Sequence, residues 1–411
     1  MRRPLLAAAL GVLFALPASA QTKIAFWHSQ TEEALNTLVQ RFNASQKDAV
    51  VEAQFVGNYN DATTKLQAAL VANRQPVVMQ FEITRYGLFA ERGVLTPLDT
   101  LISADVKADI LPGIWAASQY KGKSYVLPFN SSDPVMYVNR DLMRKAGLDP
   151  EKMPKTWDEL LAAAQKLTKV EGGKTVQWGI LSPPQWVRWA MTNQAGGGWV
   201  DPATHDVLLD KPESIEAYRF IADWILRYKV APVDAAIKEE IAKQTFTSGM
   251  AAITFDSSGS LGGYKKDSKF DLGVAPLPCR KVCAAPIGGG VLGILAKSSD
   301  AEKKAAAAFI SFMTQPENNA YWFVETGYLP IRKATQSVAT LKDFLAKNPE
   351  WAVAINQLDV AFGRARPPAM PAIRQKEEAV TQSIVLGKET AEQALKNFAE
   401  EMRRLIAADA G

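Results

Sequence analysis

The side chains best suited to chemistry in this sequence are hydroxyls and amides grouped in two short segments. Asn130-Ser131-Ser132-Asp133-Pro134 follows the apolar run Val126–Phe129, and Asp256-Ser257-Ser258-Gly259-Ser260 follows Ala252–Phe255. We predict both segments as polar loops, where hydroxyls and free amides suit an anion or a polyol. For each serine alone, helix capping is the alternative interpretation. Gly288-Gly289-Gly290 lets backbone amides approach a ligand, although triple glycine is also typical of a simple turn.

Residues that could catalyse a reaction or bind a metal are few. The chain contains two histidines, His28 and His205, and neither has another His or a Cys at the spacing of metal ligands. His28 stands beside Trp27 at the end of a predicted strand, where a packed or hydrogen-bonded histidine is expected. We therefore predict no catalytic residue, no metal site and no cofactor.

The amino-terminal residues have the pattern of a cleavable export signal. Arg2-Arg3 precedes an apolar run from Leu5 to Leu16, and the small residues Ala18-Ser19-Ala20 follow it. The apolar run is too short for a membrane-spanning helix. We predict cleavage after Ala20 and a mature protein in the periplasm. In that oxidising compartment Cys279 and Cys283, the only cysteines, are expected to form a disulfide.

Length and composition indicate a two-domain globular protein. Removal of the first 20 of 411 residues leaves 391 residues, which is more than one simple core usually accommodates. The formal charge of +4 falls to +2 without the two arginines of the export signal. Because charges of both signs are interspersed, the composition gives no indication of nucleic-acid binding. No sequence repeat of 20–50 residues and no low-complexity linker is visible.

Strands and helices alternate in the predicted secondary structure. Apolar runs predict strands over 23–27, 50–56 and 77–81, and residues three and four apart predict helices around 35–42 and over 61–72. This order is typical of a mostly parallel sheet covered by helices. A further helix is predicted over 214–228.

Two later helices have recognisable starts. Thr156 with Glu159, and Thr390 with Gln393, have the spacing of a capping box. The second of these is followed by an apolar stripe at helical spacing, which we predict to be core packing rather than a partner surface. The stripe consists of Leu395, Phe398, Met402 and Leu405.

Several motifs resemble those of the extracytoplasmic solute-binding proteins of carbohydrate-type ABC importers, and most of all the members that bind glycerol 3-phosphate. The general family motifs are Asn139-Arg140-Asp141, Ala146–Pro150, Pro154–Trp157 and Phe246–Ala252. The more specific ones are Phe26–Ser29, Gly57-Asn58-Tyr59, Pro128–Ser132, Ser257–Leu261, Thr326–Ile331 and Met370–Arg374. They occur in the family's order along nearly the whole mature chain.

The resemblance implies an α/β fold of two lobes, the type II periplasmic binding protein fold, which closes on its ligand as a hinged clamp. It implies a first lobe of residues 21–130 with 281–332 and a second of residues 131–280 with 333–411. It also implies a monomer that passes a glycerol phosphate ester to a membrane permease and its ATPase. The ligand-binding positions it implies are Tyr59, Glu82, Ser132, Ser257, Gly289, Tyr328 and Arg374.

The chemistry of these implied positions fits a phosphate ester. Arg374 can donate two parallel hydrogen bonds to phosphate oxygens, and Glu82 is expected to accept from glycerol hydroxyls. The family's ligand-contacting tryptophan is replaced here by a proline of the segment 182–186, and Trp186 or Trp189 is a candidate substitute. We expect a more open pocket that accepts glycerophosphodiesters such as glycerophosphocholine, and a preference for them over the monoester stays open. The alternatives are an oligosaccharide-binding protein of the same fold, favoured by the ten tryptophans, and a secreted phosphodiester hydrolase.

Overall fold

The computed structural model describes residues 21–30, 33–233 and 239–408. The predicted export signal and its cleavage after Ala20 lie outside these residues. The strands are β1 (Thr22–His28), β2 (Ala49–Phe55), β3 (Val78–Glu82), β4 (Gln119–Tyr120), β5 (Lys123–Ser124), β6 (Val126–Ser132), β7 (Pro134–Asn139), β8 (Lys169–Glu171), β9 (Lys174–Gln177), β10 (Ile253–Ser257), β11 (Leu272–Ala275), β12 (Ala285–Pro286), β13 (Gly288–Ile294) and β14 (Ala361–Phe362).

The helices cover a larger part of the chain than the strands. They are α1 (Glu33–Ser45), α2 (Tyr59–Val71), α3 (Tyr86–Glu91), α4 (Ala104–Asp109), α5 (Pro112–Ala117), α6 (Arg140–Lys145), α7 (Trp157–Leu167), α8 (Gln185–Gln194), α9 (Pro212–Leu226), α10 (Glu239–Thr247), α11 (Leu261–Asp267), α12 (Asp300–Met313), α13 (Pro316–Thr326), α14 (Ala339–Lys347), α15 (Ala352–Gln357), α16 (Met370–Val385) and α17 (Ala391–Ala408). No helix among the described residues is long and apolar enough to span a bilayer.

The first lobe is built on a five-stranded sheet in the order β2-β1-β3-β13-β6. β1 pairs in parallel with β2 and β3, whereas β13 runs antiparallel to both β3 and β6. The predicted mostly parallel sheet is therefore a mixed sheet, with one strand reversed. That strand arrives from far along the chain, which local periodicity does not reveal. The predicted strands and helices of the first 82 residues are confirmed, with shifts of a few residues at their ends.

The second lobe is built on an antiparallel sheet in the order β10-β7-β11. The chain passes from the first sheet to the second through Asp133, which separates β6 from β7. The short strands β12 and β14 pair in parallel at a second crossing between the lobes. The two lobes are thus linked by extended segments, as the family resemblance implies.

The hydrophobic cores follow the same division, with one exception. One core contains the first sheet and its helices, and three others contain residues of the second lobe. Helix α13 contributes Trp322 to the first core but Ala320 and Phe323 to a core that also contains Val135 and Tyr137. The boundary at residue 332 therefore stays a prediction, because this helix packs against both lobes.

Two segments predicted as loops or turns lie in strands. Asn130-Ser131-Ser132 forms the last three residues of β6, and Gly288-Gly289-Gly290 forms the first three of β13. The two segments pair with each other, with Gly289 opposite Ser131. At Gly289 the backbone φ is +89°, and a Cβ there would lie 1.8 Å from the carbonyl oxygen of Asn130. Glycine is needed at this position because the two strands approach so closely.

The two predicted capping boxes, at the starts of α7 and α17, form only in part. The Thr156 hydroxyl accepts from the amide of Glu159, but the Glu159 carboxylate accepts from Lys155 rather than completing a capping box. Thr390 likewise caps α17, while the Gln393 side chain bonds to Asn397. The apolar stripe of α17 lies in the core as predicted, with its first three members buried.

The predicted disulfide between Cys279 and Cys283 is formed. It closes a loop that rests on the carboxyl end of α8, where the amides of Lys281 and Val282 donate to the Gln194 carbonyl. The Gln194 side chain in turn accepts from the Trp157 indole and donates to the carbonyl of Ala284, the residue before β12. The disulfide loop therefore joins two helices of the second lobe to a crossing strand.

Asp133 at the first crossing is a buried carboxylate that makes stability depend on pH. Gln357 Nε2 donates to its Oδ2 at 2.8 Å, while Oδ1 has no partner among the described residues. Burial raises the pKa of Asp133 to about 7, and its hydrogen bonds only partly oppose this. The folded state therefore holds a proton that the unfolded chain releases near its ordinary pKa of 3.8.

We expect Asp133→Asn to flatten the pH dependence of unfolding. The stabilisation that the protonated carboxyl provides is present at acidic pH and is lost as the pH rises towards 7, by up to about 1.4 kcal/mol for each pH unit. The variant should therefore unfold at a higher temperature than the wild type near pH 8 and at a similar temperature near pH 4. Asp256, which is partly exposed, also has a pKa raised mainly by desolvation, so some slope remains. Exposed Asp359→Asn is the control, and an equal effect there would contradict the assignment.

Candidate ligand-binding site

A buried carboxylate at the end of β3 organises the space between the lobes. Glu82 is 6% exposed, and both of its oxygens are bonded. Arg364 Nη2 donates to Oε1 at 2.6 Å, and Arg374 Nη1 lies 2.9 Å from Oε2. The amide and hydroxyl of Thr84 also donate to Oε2. Glu82 thus acts as the counter-ion of the surrounding arginines.

The charge of Glu82 is fixed by its neighbours. Burial alone would raise the pKa of this carboxyl, but the positive charges of Arg374, Arg364 and Arg85 outweigh it and lower the pKa to about 2. Burial also lowers the pKa of Arg85 and of Arg364 to about 10. At neutral pH Glu82, Arg85 and Arg364 are therefore charged, and together with Arg374 three guanidiniums face one carboxylate.

Arg374 connects this carboxylate to the second lobe. It lies in the second turn of α16, and its Nε donates to Gln185 Oε1 at 2.6 Å. Gln185 Nε2 donates in return to the Arg374 carbonyl and to Glu377 Oε2, at 2.7 and 2.8 Å. Since Gln185 begins α8, the guanidinium is held between two helices of the second lobe and one strand of the first.

A fully buried ion pair supports Gln185 from behind. Arg188 donates through Nε and Nη2 to the two oxygens of Glu377, at 2.8 and 2.7 Å, with the side chains 3% and 0% exposed. Tyr218 and Thr381 donate to the same carboxylate. Each hydrogen-bonding group in this network is therefore satisfied by the next, which keeps the orientation of Arg374 defined.

A cavity of about 910 Å³ opens between the lobes beside this cluster. Tyr59, Arg85, Gln185 and Arg374 all line it. The Tyr59 hydroxyl accepts from Asn130 Nδ2 at 3.2 Å and from the Gln30 side chain. Of the seven predicted site residues, Tyr59 and Arg374 line this cavity, and Glu82 is bonded directly to Arg374.

The other four predicted residues lie around the first crossing strand. Ser132 pairs with Gly288 in the sheet, and the Gly289 carbonyl accepts from the amide of Ile83, next to Glu82. Ser257 caps a short helix through its hydroxyl, as the alternative interpretation for these serines anticipates. Tyr328 stacks on Trp322 and its ring covers Gly259. Within the described part of the chain, Ser132, Ser257 and Gly289 make no direct bond to Arg374.

The two candidate tryptophans differ in their surroundings. Trp189 is 2% exposed and stacks on Trp199 with ring centroids 4.7 Å apart, so it belongs to the core. Trp186 is half-buried, and a Cβ at Gly288 would lie 2.6 Å from its ring and 3.4 Å from the Ser132 hydroxyl. Trp186 is therefore the tryptophan that reaches the predicted ligand-binding positions.

Arg85, Arg364 and Gln185 contact Glu82 or Arg374 but are not predicted from the sequence. Arg364 also contacts the faces of Trp186 and Trp189, 5.9 and 5.7 Å from the ring centroids. The sequence gives only a weak indication that the two arginines lie near Glu82. Arg85 follows Glu82 by three residues, and Arg364 lies in an Arg-x-Arg-Pro-Pro run. An arginine in such contexts usually lies on the surface.

The comparisons with known proteins agree with this architecture. A family model described as bacterial extracellular solute-binding protein matches residues 37–353. The chain belongs to this family. It is 30% identical to the sn-glycerol-3-phosphate-binding periplasmic protein UgpB of Escherichia coli K12, over 97% of this chain and 96% of that protein.

Solved structures of two-lobed binding proteins superpose on nearly the whole chain. UgpB of Mycobacterium tuberculosis in complex with glycerophosphocholine matches with a TM-score of 0.84 and 29% identity, over 95% of this chain and 100% of that one. The substrate-binding protein Lmo0181 of Listeria monocytogenes in complex with cycloalternan matches with a TM-score of 0.85 and 22% identity, over 94% of this chain and 100% of that one. The second match supports the fold alone.

Proposed function

We propose that this protein captures sn-glycerol 3-phosphate and glycerophosphodiesters outside the cytoplasm and delivers them to an ABC importer. One observation carries the proposal: the cluster of Arg85, Arg364 and Arg374 around Glu82, at the junction of the two lobes. A sugar has no charge to match this excess of guanidinium groups. A phosphate group has the charge and the acceptor oxygens that arginine binds best.

The relatives support the same ligand class. The E. coli relative is named for sn-glycerol 3-phosphate, and the M. tuberculosis relative was solved with a glycerophosphodiester. In our proposal Arg374 binds the phosphate, with Tyr59, Ser132, Ser257, Gly289 and Tyr328 as further ligand contacts. Glu82 holds the arginines in place and accepts from a glycerol hydroxyl with its remaining lone pairs.

We propose that the chain is cleaved after Ala20, acts as a periplasmic monomer, binds no nucleic acid and performs no turnover. The lobes, residues 21–130 with 281–332 and 131–280 with 333–411, then close on the ligand and present it to a membrane permease with its ATPase. Among the described residues no group of three or more His, Cys, Asp and Glu side chains could hold a metal.

The oligosaccharide alternative has less support from the tryptophans than the sequence suggested. Sugar binders use accessible aromatic faces, but Trp189 and Trp199 stack on each other in the core. The cavity beside Arg374 is lined mainly by amides, hydroxyls and charged groups, and Tyr59 is the only aromatic residue among the described residues that line it. A charged ligand fits this lining better than a sugar does.

A thermal-shift titration of the mature protein tests the proposal. A ligand at about 100 times its dissociation constant stabilises the fold by about 2.7 kcal/mol, which shifts the melting temperature visibly. We expect shifts with sn-glycerol 3-phosphate and with glycerophosphocholine, and none with maltose. A shift with maltose and with neither ester would contradict the proposal and favour the oligosaccharide alternative.

A further inference from the structure

Arg85 is a buried cation at the cavity whose charge is only weakly matched. It lies immediately before α3, is 8% exposed and lines the cavity together with Arg374. Its nearest carboxylate oxygen is Glu82 Oε2, 3.9 Å from Nε, which is too far for a hydrogen bond. Nε itself is inaccessible and has no hydrogen-bond partner among the described residues. Buried guanidinium groups are normally paired, so Arg85 requires an explanation.

The neighbouring charges do not neutralise the positive charge of Arg85. Glu82 is already bonded to Arg364 and Arg374 at 2.6 and 2.9 Å. Arg188 and Glu377 neutralise each other within the network behind the cavity. Glu378 also lines the cavity, but it is 50% exposed and lies 3.1 Å from Arg188. The buried part of the cluster therefore has an excess of two positive charges, and one of them belongs to Arg85.

We propose that Arg85 is a second anion-binding residue, acting with Arg374, and that it makes the site favour a doubly charged phosphate monoester over a singly charged diester. The inference rests on the proposed function, because it concerns the charge state of the same ligand class. A monoester dianion matches both excess charges, whereas a diester monoanion matches one. The cavity thus accepts either ester but binds the ester with the second negative charge more tightly.

The second ionisation of a phosphate monoester gives this inference a specific test. That ionisation occurs near pH 6, so glycerol 3-phosphate gains its second charge between about pH 5 and about pH 8. Glycerophosphocholine has no such ionisation and reports any titration of the protein itself. The affinity of the wild type for the monoester, relative to the diester, should therefore increase over this range.

Titration calorimetry on the wild type, Arg85→Gln and Arg74→Gln separates the possibilities. Arg74 is the control, because it is an arginine of the same lobe that is exposed to solvent and does not line the cavity. At about pH 8 we expect Arg85→Gln to bind glycerol 3-phosphate at least about tenfold more weakly and glycerophosphocholine only slightly more weakly. The pH-dependent gain for the monoester should shrink in this variant, and Arg74→Gln should change neither ligand by more than about threefold.

The stability of the free protein distinguishes a binding residue from a structural one. Since Arg85 is a poorly paired buried charge, Arg85→Gln should melt no lower than the wild type without ligand. Lower melting with unchanged affinity, or equal losses for both esters, would overturn this role of Arg85. If the wild type binds neither ester, the proposed function fails, and the role of Arg85 falls with it.

Discussion

Arg374→Ala weakens the binding of glycerol 3-phosphate by roughly 100-fold or more. Removing one partner of a buried, hydrogen-bonded charge pair costs several kcal/mol of binding free energy, most of it as faster dissociation. The alanine removes the guanidinium from Glu82, Thr84 and Gln185 at once. Titration calorimetry at neutral pH measures the change.

Lys376→Ala is the matched control for this experiment. Lys376 lies two residues further along α16, is exposed and pairs with Glu401 on the neighbouring helix. Its removal should leave the affinity within about twofold of the wild type, because exposed ion pairs contribute little. Binding by Arg374→Ala within about threefold of the wild type would contradict the assignment of Arg374 to the phosphate.

Glu377→Gln lowers the free energy of unfolding by about 3–5 kcal/mol. The substitution leaves buried Arg188 with half-exposed Glu378 as its carboxylate partner and places an amide NH2 among donors, which breaks the buried pair without replacing it. Arg188, Tyr218, Thr381 and Gln185 all donate to this carboxylate in the wild type. Urea unfolding measures the loss as a lower midpoint.

Glu378→Gln provides the comparison that isolates burial. Glu378 is the next residue and contacts the same arginine, but it is half-exposed. Its substitution should cost less than about 1 kcal/mol. Equal effects of the two substitutions would show that the buried pair does not hold α8 and α16 together in the way we describe.

Local patterns in the sequence predict much of the fold. Apolar periodicity locates β1, α1, β2, α2 and β3, because each of these elements buries one face or both against its neighbours. The same patterns do not reveal that Gly288-Gly289-Gly290 begins a strand. Glycine has no side chain to create a periodic signal, and this strand forms only because β6 and β3 flank it.

The candidate site depends on contacts between residues far apart in the chain. Glu82 and Arg374 are predicted through the family resemblance, but their ion pair spans 292 positions of the numbering. Arg85 and Arg364 carry no motif, and only their approach to Glu82 in the folded chain distinguishes them from surface arginines. Local sequence patterns cannot predict the Arg188–Glu377 pair for the same reason, since its members are 189 residues apart.

Titration calorimetry of the wild-type mature protein with sn-glycerol 3-phosphate, glycerophosphocholine and maltose tests the central claim most directly. We predict saturable binding of both phosphate esters with one site per chain, competition between them, and no heat of binding with maltose. Saturable binding of maltose, together with no binding of either ester, would contradict the claim that the arginine cluster around Glu82 recognises a phosphate.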